Sequence, residues 1–201
     1  PRRMWAGGRL RFHHPLRVGD TVERHSRITN VTKKSGQSGE LVFVTVLHEL
    51  HNAQGLAIAE EHDIVYREAP RPGAPMPPPQ GAPADSAFSR EIVPDPVLLF
   101  RYSAVTFNGH RIHYDRTYVT EVEGYPGLVV HGPLIAMLLL DLLRRERPDT
   151  RVTAFSFKAV RPIFDIHRFS VHGQPDAGGR LQLWARDHAG FLAMTATADT
   201  A

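Results

Sequence analysis

At 201 residues, with 42% hydrophobic and 22% charged residues, the chain can bury a real core and is too apolar to stay disordered throughout. Lys and Arg number 24 against 21 Asp and Glu; this net charge of +3 is interspersed with acidic residues, so no nucleic-acid partner is expected, although a modestly basic surface suits an anionic cofactor or carrier. With 0 Cys, disulfides, thiolate nucleophiles and Cys-based zinc sites are excluded, and without an apolar run of about eighteen residues or a signal-peptide core at residues 1–4, no membrane partner is expected and the chain reads as soluble and cytoplasmic.

In chain order, residues 8–12, 21–32, 41–50 and 56–67 read as strands, with turns at 34–39 and 51–55, which makes the first half an antiparallel meander. Residues 41–47 (Leu-Val-Phe-Val-Thr-Val-Leu) are β-branched and apolar on both faces, the pattern of a central strand covered on each side. This half offers no obvious helix for the cover, so a helix preceding Pro1 in a longer parent chain, or the second half, is expected to supply it. The opening at Pro1 without an initiator Met also reads as a fragment or trimmed product. Residues 69–86 are rich in Pro and poor in ladder donors, so they read as a linker. The expected organisation is an N-terminal half at 1–68, a proline-rich linker at 69–87 and a C-terminal catalytic half at 88–201.

Beyond the linker one helix stands out. Gly132 precedes Pro133, which tolerates the missing N–H of a first turn, and Pro148 follows a basic tail, predicting a helix of about fifteen residues, or about 22 Å. Its start, residues 134–140, is apolar all round, which predicts a helix wrapped by sheet, and strands at 151–162, 168–175, 180–186 and 191–197 can do the wrapping. The fold class expected is α+β: one buried helix inside a curled antiparallel sheet.

Between linker and helix, residues 100–115 crowd amide, imidazole, hydroxyl and carboxylate groups into a loop that a buried helix would hold in place. Simpler roles compete here. Asn108-Gly109 suits a two-residue hairpin turn, Asp115 suits a helix cap better than an imidazole partner, and His131 suits packing beside Gly132. Arg101, Arg111 and Arg161 could meet cofactor phosphates, but none is singled out from the many Arg of the chain. The 12 His show no HExxH or H-x3-H spacing, and no metal is expected.

Thr106-Phe107-Asn108-Gly109-His110-Arg111-Ile112-His113-Tyr114-Asp115, with Gly124-Tyr125-Pro126-Gly127-Leu128-Val129-Val130-His131-Gly132-Pro133-Leu134 after it, resembles the hydratase-2 motif of MaoC-like proteins. The similarity is greatest to the hydroxyacyl-thioester dehydratase type 2 branch, with mesaconyl-CoA and itaconyl-CoA hydratases as relatives; Met4 to Gly8 and Val18 to Thr21 extend it into the first half. The resemblance implies a double hot-dog fold, each half a sheet curled around a helix with the thioester between them, and a first half that lacks its own helix in this chain. It implies a hydro-lyase acting on an enoyl or 3-hydroxyacyl thioester of CoA or acyl carrier protein, with no other cofactor, and a homodimer among the assemblies expected.

In the general motif an Asp stands five positions before the catalytic His; here those positions hold Asn108 and His113. Asn cannot take a proton, so His113, with an ordinary pKa of about 6.5, is expected to carry the transfer while Asn108 orients water or substrate. His110 is a candidate second acid/base and Asp115 a candidate support. Gly132, whose N–H opens the helix, is expected to receive the enolate-like oxygen, since it lets the thioester approach closely. A hot-dog thioesterase and a non-catalytic thioester-binding module are the competing functions, the latter motivated by the Asp-to-Asn departure.

Overall fold

The computed structural model describes residues 2–36, 39–67 and 78–201. In chain order these form β1 (Arg2–Phe12), β2 (Glu23–Gly36), β3 (Gly39–Asn52), β4 (Gly55–Arg67), β5 (Phe88–Ile92), α1 (Pro96–Val105), α2 (Gly132–Glu146), β6 (Val152–Ala159), β7 (Phe169–Pro175), β8 (Leu181–Arg186) and β9 (Leu192–Thr200). They fall into two compact units. Residues 1–78, 151–158 and 197–201 make the first, and residues 79–150 and 159–196 the second.

In the first unit β2, β3 and β4 pair antiparallel in sequence, β4 pairs with β1, and β1 pairs with β6. Of the four-strand meander expected of the first half, β2, β3 and β4 follow in order, whereas β1 pairs with β4 and not with β2, and the strands are longer than the turn signals suggested. The β3–β4 hairpin turns as read: Asn52 Oδ1 accepts from Gln54 N at 2.9 Å, and Gly55 takes φ 104°, a conformation that Gly adopts at little cost. Two expectations are corrected. Residues 154–158, assigned to the C-terminal half, pair with β1 in the first unit, where the Phe157 ring packs on Trp5 of that strand. Residues 41–47, expected to be covered on both faces, are half-buried along their length, and among the described residues this unit holds no helix to cover them. Trp5 packs edge-on against Phe157, ring centroids 4.8 Å apart, and against His62 at 5.1 Å, which supplies a small apolar cluster on one face.

In the second unit β5, β7 and β8 pair in that order, and α2 packs on all three. The helix runs the expected 15 residues. Its buried residues are Leu134, Ile135, Ala136, Leu139, Leu142 and Leu143, each large one worth about 1.5–3 kcal/mol on burial. Met137, by contrast, is 57% exposed, so the helix is amphipathic and not wrapped all round as its composition suggested. The reason is that a single face meets the sheet, leaving the Met137 side to other contacts.

The first part of the linker, residues 69–77, lies outside the described residues. Its end is held by the second unit: Leu192 N donates to Gln80 O at 2.8 Å and Ala82 N to Gly190 O at 3.1 Å. β5 and α1 were not anticipated. The signal for α1 was in the sequence, since Asp95 before Pro96 is a capping residue ahead of a first-turn proline.

Candidate active site

The second unit alone carries every candidate residue. Asp95 Oδ1 starts α1 by accepting from Val97 N at 2.8 Å and Leu98 N at 2.9 Å, and the helix buries Leu99 and Ser103. It ends where Phe107 takes φ 54°, a left-handed conformation that costs a non-Gly residue about 1–2 kcal/mol. That reversal sends the chain back on itself, so that Asn108 N donates to Ser103 O at 2.9 Å. Asn108-Gly109 therefore ends a helix and is not the tip of a hairpin. Asn108 Oδ1 accepts from His110 N at 3.1 Å, an Asx turn that leads into a 3-10 turn over Arg111–His113.

His113 is thus presented by a short, tightly bonded turn. The segment opposite is held just as firmly. Val129 N donates to Ile112 O at 3.0 Å, Val130 N to Ile163 O at 2.8 Å and Leu128 N to the Asp165 carboxylate at 2.8 Å. Gly127 is required beside this carboxylate, because a Cβ there would come within 2.7 Å of Asp165 Oδ1. The clamp places Val129 O 2.7 Å from His113 Nδ1. A carbonyl oxygen only accepts, so Nδ1 carries the proton and Nε2 holds the lone pair of a neutral imidazole. Among the described residues no partner meets Nε2.

His113 is only 8% exposed, and burial pushes its pKa down to about 4, with His110 nearby acting in the same direction and the Val129 bond opposing. The ordinary value near 6.5 expected from sequence is therefore displaced, and at pH 7 the ring is neutral. Its face lies on His131, ring centroids 3.8 Å apart and planes 16° from parallel. His131 is 0% exposed and is pushed down to about 3 by burial, then by His113 and His110. Its Nε2 lies 2.8 Å from Ser103 Oγ, and Tyr102 meets it edge-on at 4.8 Å.

The residue after His131 is Gly132, the first of α2. A helix start leaves its first N–H groups without intrahelical acceptors, and Pro133 has none to offer, so the Gly132 amide is the donor nearest His131 in the chain. The structure thus stacks His113 directly on the residue preceding Gly132. Asn108 joins through the turn that carries His113, and His110 stands edge-on to His113, centroids 5.5 Å apart. Asp115 is engaged elsewhere: its carboxylate accepts from Tyr118 N at 3.0 Å and from Arg111 at 2.7 Å, which holds it below the usual carboxylate range. It caps the following turn. Arg111 also lies over the Tyr118 ring at 4.2 Å, and Arg161 over Phe191 at 5.3 Å, so both guanidinium groups have protein partners. No cluster of three or more His, Asp or Glu with metal-binding geometry occurs among the described residues.

Sequence reasoning missed Ser103, Tyr102 and Val129. Val129 acts through its carbonyl, which leaves no mark in sequence, whereas Ser103 becomes visible once α1 is read from its Asp95 cap.

The sequence profile of hydroxyacyl-thioester dehydratase type 2 matches residues 1–165. The chain belongs to this family. Among the relatives of this chain is the mesaconyl-C(4)-CoA hydratase of Chloroflexus aurantiacus, 51% identical over 204 residues, a match that covers 99% of this chain and 70% of the relative. The crystal structure of HtdX from Mycobacterium tuberculosis superposes with a TM-score of 0.76 at 22% identity, over 98% of this chain and 76% of that one. A second Mycobacterium tuberculosis protein, described as having a double hotdog fold, superposes with a TM-score of 0.60 at 15% identity over 98% of this chain and 74% of that one. The fold class is that of the double hot-dog, α+β. No helix among the described residues is long and apolar enough to cross a membrane.

Proposed function

We propose that the chain catalyses the reversible addition of water to an enoyl thioester, with His113 as the acid/base, and that its substrate is of the mesaconyl-CoA kind. The 51% identity to a mesaconyl-C(4)-CoA hydratase supports the reaction class and substrate. The observation that carries the role of His113 is its Nδ1–H bond to Val129 O, which leaves Nε2 as a free base. Whether the acyl group rides on CoA or on a carrier protein is the finer choice, and the relative's name favours CoA.

In the hydration direction, Nε2 of neutral His113 takes a proton from water as the oxygen attacks C3 of the enoyl group. Electron density moves through C2 onto the thioester oxygen, where the Gly132 N–H at the start of α2 meets the developing charge; such donors are typically worth about 2.7–4 kcal/mol of barrier. The imidazolium then returns its proton to C2, and the thioester carbonyl reforms. Dehydration reverses these steps, and the proton taken from C2 leaves with the C3 hydroxyl as water. One imidazole suffices for both transfers, so the Asp of the general motif is dispensable if Asn108 only orients the water through its side-chain NH2, which meets no acceptor among the described residues. The low pKa of His113 is set by burial, and negative charge building on the substrate beside it would raise that value as the proton is taken.

The test is an assay on mesaconyl-CoA and crotonyl-CoA that follows enoyl-thioester absorbance alongside a thiol-trapping dye. Loss of absorbance without free thiol is the expected outcome. Thiol release in step with absorbance would instead identify a thioesterase, and no change in either would identify a binding module.

A further inference from the structure

We propose that His131, anchored by Ser103, is a positioning residue that fixes the ring plane of His113. The inference rests on the assignment of His113 as the base. A single hydrogen bond from Nδ1 to Val129 O leaves an imidazole free to rock about that bond, and a rocking ring aims Nε2 poorly. The near-parallel His131 ring, 3.8 Å away at 16°, closes that freedom from one face. His131 is itself immobilised: Nε2 lies 2.8 Å from Ser103 Oγ, and the Tyr102 ring presses on its edge at 4.8 Å. α1, which supplies both Ser103 and Tyr102, is tied in turn to the 3-10 turn by Asn108 N to Ser103 O.

A second observation sets His131 apart from packing material. Its Nδ1 is buried and has no partner among the described residues, a cost that a phenyl or isobutyl group in the same place would not carry. An imidazole here is therefore a poor choice for filling space and a good one for holding a bond to Ser103 on one edge and a flat face toward His113. The titratable groups against His113 are His110 on its own turn and His131 ahead of α2, and Tyr102 on α1 meets His131 from its edge; among the described residues no carboxylate forms an ion pair with His113 or His131.

The test compares Ser103→Ala, Ser103→Thr and His131→Leu with the parent and with His113→Ala, reading kcat, KM, the pH profile of kcat and the thermal unfolding midpoint for each. Ser103→Ala removes one buried oxygen and should fold. Its kcat is expected to fall about tenfold at unchanged KM, as for a misaimed catalytic group. The acid limb of its profile should move up from the parent's, toward the ordinary imidazole range, because a loosened His113 ring takes up water more readily. Ser103→Thr restores the hydroxyl and should recover most of kcat. His131→Leu should behave as Ser103→Ala does, more severely. Should His113→Ala retain full activity, the base assignment and this inference both fall. Should His113→Ala be inactive while Ser103→Ala and His131→Leu keep the parent's kcat and acid limb, or lose activity only in proportion to unfolded protein, this inference alone is overturned.

Discussion

Replacing His113 by Gln should flatten the acid dependence of stability, and the size of the effect follows from how the ring is buried. In the folded protein His113 sits at about 4, whereas in the unfolded chain it returns to its ordinary value of about 6.5. The unfolded state therefore binds the proton first. Stability is complete above about pH 6.5 and is lost as pH falls from there toward 4, where the native ring also begins to protonate. At pH 5 this one group should cost the parent about 2 kcal/mol relative to pH 8. Urea unfolding at the two pH values gives the difference for each protein. His131, held low by the same burial, contributes in both and largely cancels. The parent should lose about 2 kcal/mol more than His113→Gln between pH 8 and pH 5. Equal losses would mean that His113 is not buried in neutral form, and the argument for a ready base at Nε2 would fail with it.

Other consequences are local. Asp95→Ala removes the acceptor of two α1 amides and should lower stability by about 1 kcal/mol, measurable as a shift in the urea midpoint at constant slope. Leu139→Ala empties a fully buried site on α2 and should cost about 2–5 kcal/mol in the same assay. Asp165→Ala strips the Leu128 amide and the Arg116 guanidinium of a buried acceptor, and should both destabilise the fold and lower kcat, since the segment ending at Val129 O loses its clamp.

The β2–β4 meander, the helix at Gly132–Glu146 and the four later strands were legible because each has a strong period or a proline and glycine boundary. The bounds of α2 were clear from Pro133 at its start and the basic tail before Pro148. What composition could not show was which face of α2 meets the sheet, since Met137 is as apolar as Leu139 yet lies in the open. Nor could it show that residues 152–158 join the first unit, because alternation reveals a strand without naming its neighbour. At the site, the motif drew attention to His113, Asn108 and Gly132, and the structure adds the means of holding them. The stack on His131 and the bond to Val129 O are tertiary contacts between segments 16 or more residues apart, invisible to any local pattern. Reading residues 100–105 as loop hid Ser103, whose place on a helix is what aims its hydroxyl at His131.

The most direct test is the turnover of mesaconyl-CoA by His113→Ala beside the parent, followed by loss of enoyl-thioester absorbance at pH 7 with both proteins shown to be folded. A base at Nε2 predicts a fall in kcat of at least about a hundredfold. A folded variant that turns over at the parent's rate would contradict it.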